Sequence, residues 1–214
     1  MLFSRPTLAN LVNVTVDDAG SDPYTGAQIV YSPSNAWSLG PACTVCTAHP
    51  DPKRAFNGTW HDGFFDPNTN NVLTASFQFD GSALYVNCIL SHLGSNPDGT
   101  TNMLFFLDGE FMGSYQQFPN GDPTYEFNTM VYANSSIPNG HHTFTIQNGQ
   151  LQAPGSLVLL DSIMYTRDVS QNVTSALPSS SRFISYHQTS LTKRRPFNNY
   201  DITALRFIYL RIGT

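Results

Sequence analysis

Charged residues are scarce in this sequence, and those that favour exposed helix surfaces are the scarcest. Asp, Glu, Lys and Arg make up 12% of the 214 residues, about half of the roughly 25% found in typical soluble domains. Lysine and glutamate occur only at Lys53, Glu110, Glu126 and Lys193. Because coiled coils and helical repeats are rich in these residues, the composition excludes both classes.

Long hydrophobic runs are also missing. No stretch of 18 apolar residues occurs, so the sequence predicts no membrane-spanning segment. Residues 1–9 contain Arg5 but neither an apolar run of about 7–15 residues nor a small-residue cleavage site. We therefore interpret residues 1–9 as the remnant of a leader and not as a complete secretory signal.

The signatures of common enzyme classes are absent as well. The sequence has no Gly-x-Ser-x-Gly elbow, no Gly-rich phosphate loop and no His-Glu-x-x-His. Asp108 and Glu110 fit a hairpin, Asp161 fits an apolar strand, and no spacing indicates two carboxylates facing each other across a cleft. The sequence thus predicts a non-catalytic protein and indicates no cofactor.

Short runs of aromatic and β-branched residues make up most of what remains. Phe77 and Phe79 alternate with polar residues, and His142 shares one face with Phe144 while His141 points the other way. Turn dipeptides such as Asp108-Gly109 separate the runs and leave no room for crossover helices. This pattern predicts an antiparallel β-sandwich or barrel, with long loops over residues 32–75.

Charge is unevenly distributed along the chain. Residues 10–166 hold two basic side chains against thirteen Asp and Glu, a balance that repels nucleic acid. Residues 167–214 hold seven Lys and Arg against two Asp, with a Ser-containing, linker-like segment. We predict one β domain over residues 10–166 and a basic tail over residues 167–214. The tail is interpreted as disordered or mispredicted, and a basic nucleic-acid or membrane patch is the alternative.

Four segments together resemble galactose-binding-like jelly-roll domains. Ala55–Asp62 resembles a loop of the Ala-x-Asp-Gly type followed by an aromatic residue, and Leu104–Gly113 resembles a hairpin of these domains. Pro138–Ile146 resembles their Gly-x-His strand, and Ser156–Tyr165 resembles their final apolar strand. With Cys43–Pro52 added, the chain resembles an uncharacterised family of extracellular proteins from mushroom-forming fungi. The resemblance covers about residues 10–166 and implies a jelly-roll β-sandwich located outside the cell or on its surface.

Two departures from that family limit what the resemblance implies. Its members usually carry a signal peptide, a Ser-rich spacer and one transmembrane helix, and this chain shows neither hydrophobic end. Membrane attachment is therefore not carried over. Asn57 stands where the family's loop usually has Asp, and a neutral amide weakens the case for a structural calcium site there. No metal site is predicted.

Three cysteines, Cys43, Cys46 and Cys88, leave at least one thiol unpaired within the chain. Cys43 and Cys46 favour a structural disulfide, with zinc binding, redox chemistry and free thiols as alternatives. Cys88 lies on the apolar side of a predicted strand, where it is a buried thiol or a partner for one of the loop cysteines. Glycosylation sequons begin at Asn13, Asn57, Asn134 and Asn172.

The candidate ligand-binding residues are Trp37, Trp60, His61 and Asp62, all in the loop-rich region. Sugars stack on indole faces, while carboxylates and imidazoles form hydrogen bonds with their hydroxyls. We therefore predict a non-catalytic extracellular module that contacts carbohydrate. The alternatives are an adhesive ectodomain that contacts a cell-surface protein through an exposed apolar patch and, third, a glycan-processing enzyme.

Overall fold

The computed structural model describes residues 9–69, 71–95 and 98–170. Nearly all of the predicted leader, the sequon at Asn172 and the predicted tail from residue 171 onward lie outside the described residues. The last strand continues past the predicted domain end to Asp168. Within the described residues, no helix has the length and hydrophobicity needed to span a bilayer.

The described residues form eleven strands and three short 3-10 turns. The turns are Ser34–Ala36, Gly40–Ala42 and Phe56–Gly58. In chain order the strands are β1 (Leu11–Asp17), β2 (Val30–Ser32), β3 (Trp37–Leu39), β4 (His61–Phe65), β5 (Leu73–Gly81), β6 (Ala83–Ser91), β7 (Thr101–Leu107), β8 (Glu110–Gln117), β9 (Tyr125–Asn134), β10 (Gly140–Asn148) and β11 (Ser156–Asp168).

The strands pair in two antiparallel sheets. The six-stranded sheet has the order β3-β4-β11-β6-β9, with β1 also pairing with β11, and the five-stranded sheet has the order β2-β5-β10-β7-β8. From β4 to β11 the chain crosses repeatedly between the sheets, as it does in jelly rolls. The predicted all-β, antiparallel jelly-roll sandwich is confirmed.

The main core lies between the two sheets and follows the alternation seen in the sequence. Phe77 and Phe79 on β5 are each 1% exposed, and Phe144 on β10 is fully buried. His142 is buried on the same side as Phe144, whereas His141 is exposed. Period-two patterning therefore correctly assigned the inward-facing side chains of these strands.

Asp108 and Gly109 form the turn between β7 and β8, with φ angles of 53° and 85°. The Asp108 carboxylate accepts a hydrogen bond from the Thr143 backbone N–H at 2.8 Å and contacts His142 Nδ1 at 2.7 Å. These hydrogen bonds hold the pKa of Asp108 below its usual value. The carboxylate thus joins the hairpin to β10, a structural role.

Residues 32–75 contain long irregular stretches between short strands and 3-10 turns, as predicted. Cys43 and Cys46 form a disulfide with a Cα–Cα distance of 5.5 Å. Cys88 is a free thiol, 1% exposed, and burial raises its pKa. Of the alternatives that the sequence left open, the structure shows a disulfide for Cys43 and Cys46 and a buried free thiol for Cys88. Of the described sequon asparagines, Asn13 and Asn57 are exposed and Asn134 is half-buried.

Candidate functional site

The four predicted ligand-binding residues do not form one cluster. His61 and Asp62 are neighbours on β4, so their side chains point to opposite faces of the six-stranded sheet. His61 stacks on the Tyr31 ring with a centroid distance of 3.9 Å. Its Nδ1 contacts Asp18 Oδ2 at 2.6 Å. His61 is therefore occupied by protein contacts on the core side of the sheet.

Both indole rings are buried, contrary to the prediction that they contact a ligand. Trp37 is 6% exposed and packs so closely on Gly63 that a Cβ there would lie 2.6 Å from the ring. Trp60 is 2% exposed and packs on Gly40, where a Cβ would lie 2.0 Å from the ring. Neither ring offers a free face on which a sugar could stack, so their role is packing.

Around His61 lies a cluster of carboxylates that connects β1 to the loop before β4. Thr59 donates its hydroxyl hydrogen to Asp18 Oδ1 at 2.6 Å, and the Phe56 backbone N–H donates to Asp161 Oδ1 at 2.8 Å. Burial, with the charges of Asp18 and Asp17 nearby, raises the pKa of Asp161 to about 6. In the part of the chain that is described, no His, Cys, Asp and Glu side chains are grouped to hold a metal ion.

Asp62 lies on the other face of the sheet, where it lines an open cavity of about 500 Å³. We call this space the Asp62 cavity. Its wall comes from the first 3-10 turn, β3, β4, β11, the disulfide-bonded loop and one residue of the loop before β7. The lining residues are Ala36, Ser38, Val45, Cys46, Thr47, Asp62, Phe64, Asp98 and Leu157.

Strand register explains why the lining side chains meet. Ser38 pairs with Asp62 across β3 and β4, and Leu157 pairs with Phe64 across β11 and β4. Directly opposed residues of antiparallel strands point to the same face, so all four side chains share the outer face of this sheet. The disulfide closes a short loop that places Val45 at the rim of the cavity.

Asp62 is a largely buried residue whose carboxylate has no hydrogen-bond donor among the described residues and opens to the cavity. The residue is 7% exposed, and no described residue donates a hydrogen bond to its side chain. Burial alone raises the pKa of Asp62 to about 6. Since no described side chain or backbone N–H donates to it, this carboxylate has unused capacity to accept hydrogen bonds from a molecule in the cavity.

The second carboxylate of the cavity is already engaged. Asp98 Oδ1 accepts hydrogen bonds from the Thr100 backbone N–H at 3.0 Å and from the Thr100 hydroxyl at 2.8 Å. These short-range contacts hold Asp98 in place at the edge of the cavity. Its negative charge nevertheless adds to that of Asp62 in the same space.

Apolar surface completes the cavity. Phe64 is 45% exposed and its ring lies on Gly155, where a Cβ would come within 2.9 Å of Phe64 Cζ. Val45 is 87% exposed at the rim. Leu157 belongs to a small second core with Trp60, Ala48, Ile89 and Leu159. The cavity therefore combines an exposed aromatic face with an unpartnered acceptor.

Sequence reasoning named Asp62 but missed the residues around it, Ser38, Val45, Phe64 and Asp98. The alternation His-Asp-Gly-Phe-Phe over His61–Phe65 carried part of the missing signal. It places Asp62 and Phe64 on one face of a strand and His61 on the other. Asp98 comes from a distant part of the chain, and no local pattern connects it to β4.

No protein-family model matches the chain, and no curated protein is significantly similar to it. Among solved structures, a family 35 carbohydrate-binding module from Clostridium thermocellum has a TM-score of 0.42 and 9% identity, covering 72% of this chain and 97% of that chain. A cycloisomaltooligosaccharide glucanotransferase from Paenibacillus sp. has a TM-score of 0.41 and 13% identity. An exo-β-1,3-galactanase from Phanerochaete chrysosporium has a TM-score of 0.39 and 12% identity. The likeness covers 71% of this chain in both enzymes, but only 18% of the glucanotransferase and 28% of the galactanase.

Proposed function

We propose that this protein is a non-catalytic, extracellular carbohydrate-binding module whose ligand occupies the Asp62 cavity. The observation that carries the proposal is the carboxylate of the largely buried Asp62, which has no described hydrogen-bond donor and lines an open cavity beside an exposed phenylalanine. A carboxylate accepts hydrogen bonds from sugar hydroxyls, and an aromatic face packs against the apolar face of a pyranose ring.

The dimensions of the cavity suit a small ligand. Its volume of about 500 Å³ lies within the roughly 300–1,000 Å³ of known small-molecule sites. The hydroxyl of Ser38 adds a second polar group, and Val45 with Leu157 adds apolar surface. One or two sugar units fill such a space, with the rest of a longer glycan extending into solvent.

Two further observations support the class of protein. Asp98 is engaged by Thr100, so the cavity offers one uncommitted carboxylate, whereas glycoside hydrolysis uses a pair. The Cys43–Cys46 disulfide suits an oxidising compartment outside the cytosol. The resemblance of residues 10–166 to extracellular fungal proteins supports the same location.

A matched pair of phenylalanine variants tests the proposal. Phe64→Ala removes the exposed ring at the cavity, and Phe111→Ala removes a ring that is 60% exposed on the other sheet. We expect Phe64→Ala to weaken binding to the best glycan of a broad array by about fivefold to thirtyfold, about 1–2 kcal/mol. Phe111→Ala is expected to bind like the wild type.

Two results would contradict this function. Wild-type binding that stays at background for every glycan would leave an ectodomain with a protein partner as the better explanation. Equal losses in Phe64→Ala and Phe111→Ala would show that the binding surface is not the Asp62 cavity. Circular dichroism of each variant verifies that the fold is intact.

A further inference from the structure

The charged side chains that line the Asp62 cavity in the described part of the chain have the same sign. Among its nine described lining residues, the two that carry an ionisable side chain outside the disulfide are Asp62 and Asp98, and none is Lys, Arg or His. The described residues as a whole contain three Lys and Arg against fourteen Asp and Glu. A space with this lining repels acidic ligands and attracts cationic ones.

The basic residues of the described chain are held elsewhere. Arg54 lies over the Phe127 ring at 4.1 Å, and Arg167 lies over the Tyr24 ring at 4.3 Å. Lys53 is exposed and does not line the cavity. The positive charge that would compensate Asp62 is therefore not supplied by these side chains, and a ligand can supply it.

An ammonium group satisfies the Asp62 carboxylate better than a hydroxyl does. A primary ammonium has three N–H donors and a full positive charge, whereas a sugar hydroxyl donates one neutral hydrogen bond. Charge-assisted hydrogen bonds are roughly twice as strong as neutral ones, and the low exposure of Asp62 limits screening by solvent.

We infer that the Asp62 cavity selects glycans with free, protonated amino groups, such as glucosamine units, over N-acetylated, neutral or acidic glycans. This inference rests on the proposed function and adds the class of sugar. In the complex, the ammonium donates to the Asp62 carboxylate, Asp98 contributes negative potential, and the ring packs on Phe64. N-acetylation removes the positive charge and leaves Asp62 with a single neutral donor.

Isothermal titration with three tetrasaccharides at neutral pH and low ionic strength tests the inference. The ligands are β-1,4-linked glucosamine, its N-acetylated form and β-1,4-linked glucose. We expect the wild type to prefer the free amine over both others by about tenfold or more. Added salt is expected to reduce this preference, because it screens the charges.

Two charge variants distinguish the effect of the cavity carboxylate on ligand preference from the effect of the protein's overall negative charge. Asp62→Asn keeps the shape of the side chain and is expected to bring the preference for the free amine to within about threefold of unity. Asp80→Asn removes the same charge from an exposed position on the five-stranded sheet. This control is expected to keep the preference of the wild type.

The outcomes distinguish the inference from the proposed function. Equal or tighter binding of the N-acetylated or glucose ligand overturns the amine selectivity but leaves a carbohydrate-binding module. Equal loss of selectivity in both variants overturns the role of Asp62. No binding of any sugar, with Asp62-dependent binding of a pentalysine peptide, overturns both and assigns the cavity to a basic protein segment.

Discussion

Replacing Trp60 with alanine is expected to lower the free energy of unfolding by about 3–5 kcal/mol, the range measured for large aromatic side chains in cores. The indole is 2% exposed and packs with Ile89, Leu157 and Leu159 outside the main core. Gly40 lies directly against the ring, so the loop that follows β3 rests on this side chain. Without the indole, the loop loses the surface that positions it over the sheet. Urea denaturation followed by circular dichroism measures the change.

A phenylalanine at the same position provides the matched control. Trp60→Phe keeps an aromatic ring and removes the Nε1–H, which is buried without a hydrogen-bond partner. Since that group contributes an unsatisfied donor, we expect a loss of only about 1–2 kcal/mol. A loss below about 1 kcal/mol for Trp60→Ala would contradict the packing role and return the ring to consideration as a contact surface.

Replacing Asp62 with asparagine is expected to stabilise the fold at neutral pH by about 2–3 kcal/mol. Burial raises the pKa of Asp62 from 3.8 to about 6, and one unit of pKa corresponds to about 1.4 kcal/mol. The folded state favours the protonated form of Asp62 more than the unfolded state does. Protonated Asp62 therefore stabilises the fold fully below about pH 4, and this stabilisation is lost as the pH rises to about 6 and the carboxyl ionises. Asparagine stays neutral throughout and does not lose this contribution.

The pH dependence makes this prediction specific. The difference in unfolding free energy between Asp62→Asn and the wild type is expected to be smallest near pH 4, to grow up to about pH 6 and to stay constant above it. The neighbouring titratable groups are Asp98 and Tyr125. Both proteins contain them, so their contributions to the pH dependence largely cancel in the difference between variant and wild type. Asp80→Asn, which removes an exposed charge facing His141, is expected to change stability by less than about 1 kcal/mol. A pH-independent difference for Asp62→Asn would show that the carboxylate is not buried in charged form.

Ligand preference and stability, both measured on Asp62→Asn, together distinguish a contribution of Asp62 to binding from a contribution to folding. If Asp62 both destabilises the fold at neutral pH and determines ligand preference, its contribution is to binding and not to stability. Trp60 is expected to show the opposite combination, because the ring is buried and its removal is predicted to cost stability. The sequence alone gave both residues the same role, and stability measurements tell them apart.

The fold could be predicted because its determinants are local. The alternation around Phe77 and Phe79 and the Asp108-Gly109 turn each follow from a few neighbouring residues. The strand with His142 was oriented correctly for the same reason. Period two and positive φ angles are properties of short segments, so they can be recognised without knowledge of the rest of the chain.

The site could not be predicted to the same degree because its determinants are long-range. Whether an indole in a loop is exposed depends on what lies opposite, and the partners that bury Trp60 come from β6 and β11. Asp62 and Asp98 share a cavity although 36 residues separate them in sequence. The family resemblance pointed to the loop before β4 but did not reveal which of its side chains face solvent.

The pairing of β3 with β4 gives the protein two surfaces that can change independently. Trp37, Gly63 and Phe65 face the main core, where any change in volume disturbs packing. Ser38, Asp62 and Phe64 face the cavity on the opposite side of the same strands. A library that randomises only these three outward positions varies the cavity lining while keeping the residues of the main core, which makes this strand pair a scaffold for engineering new recognition.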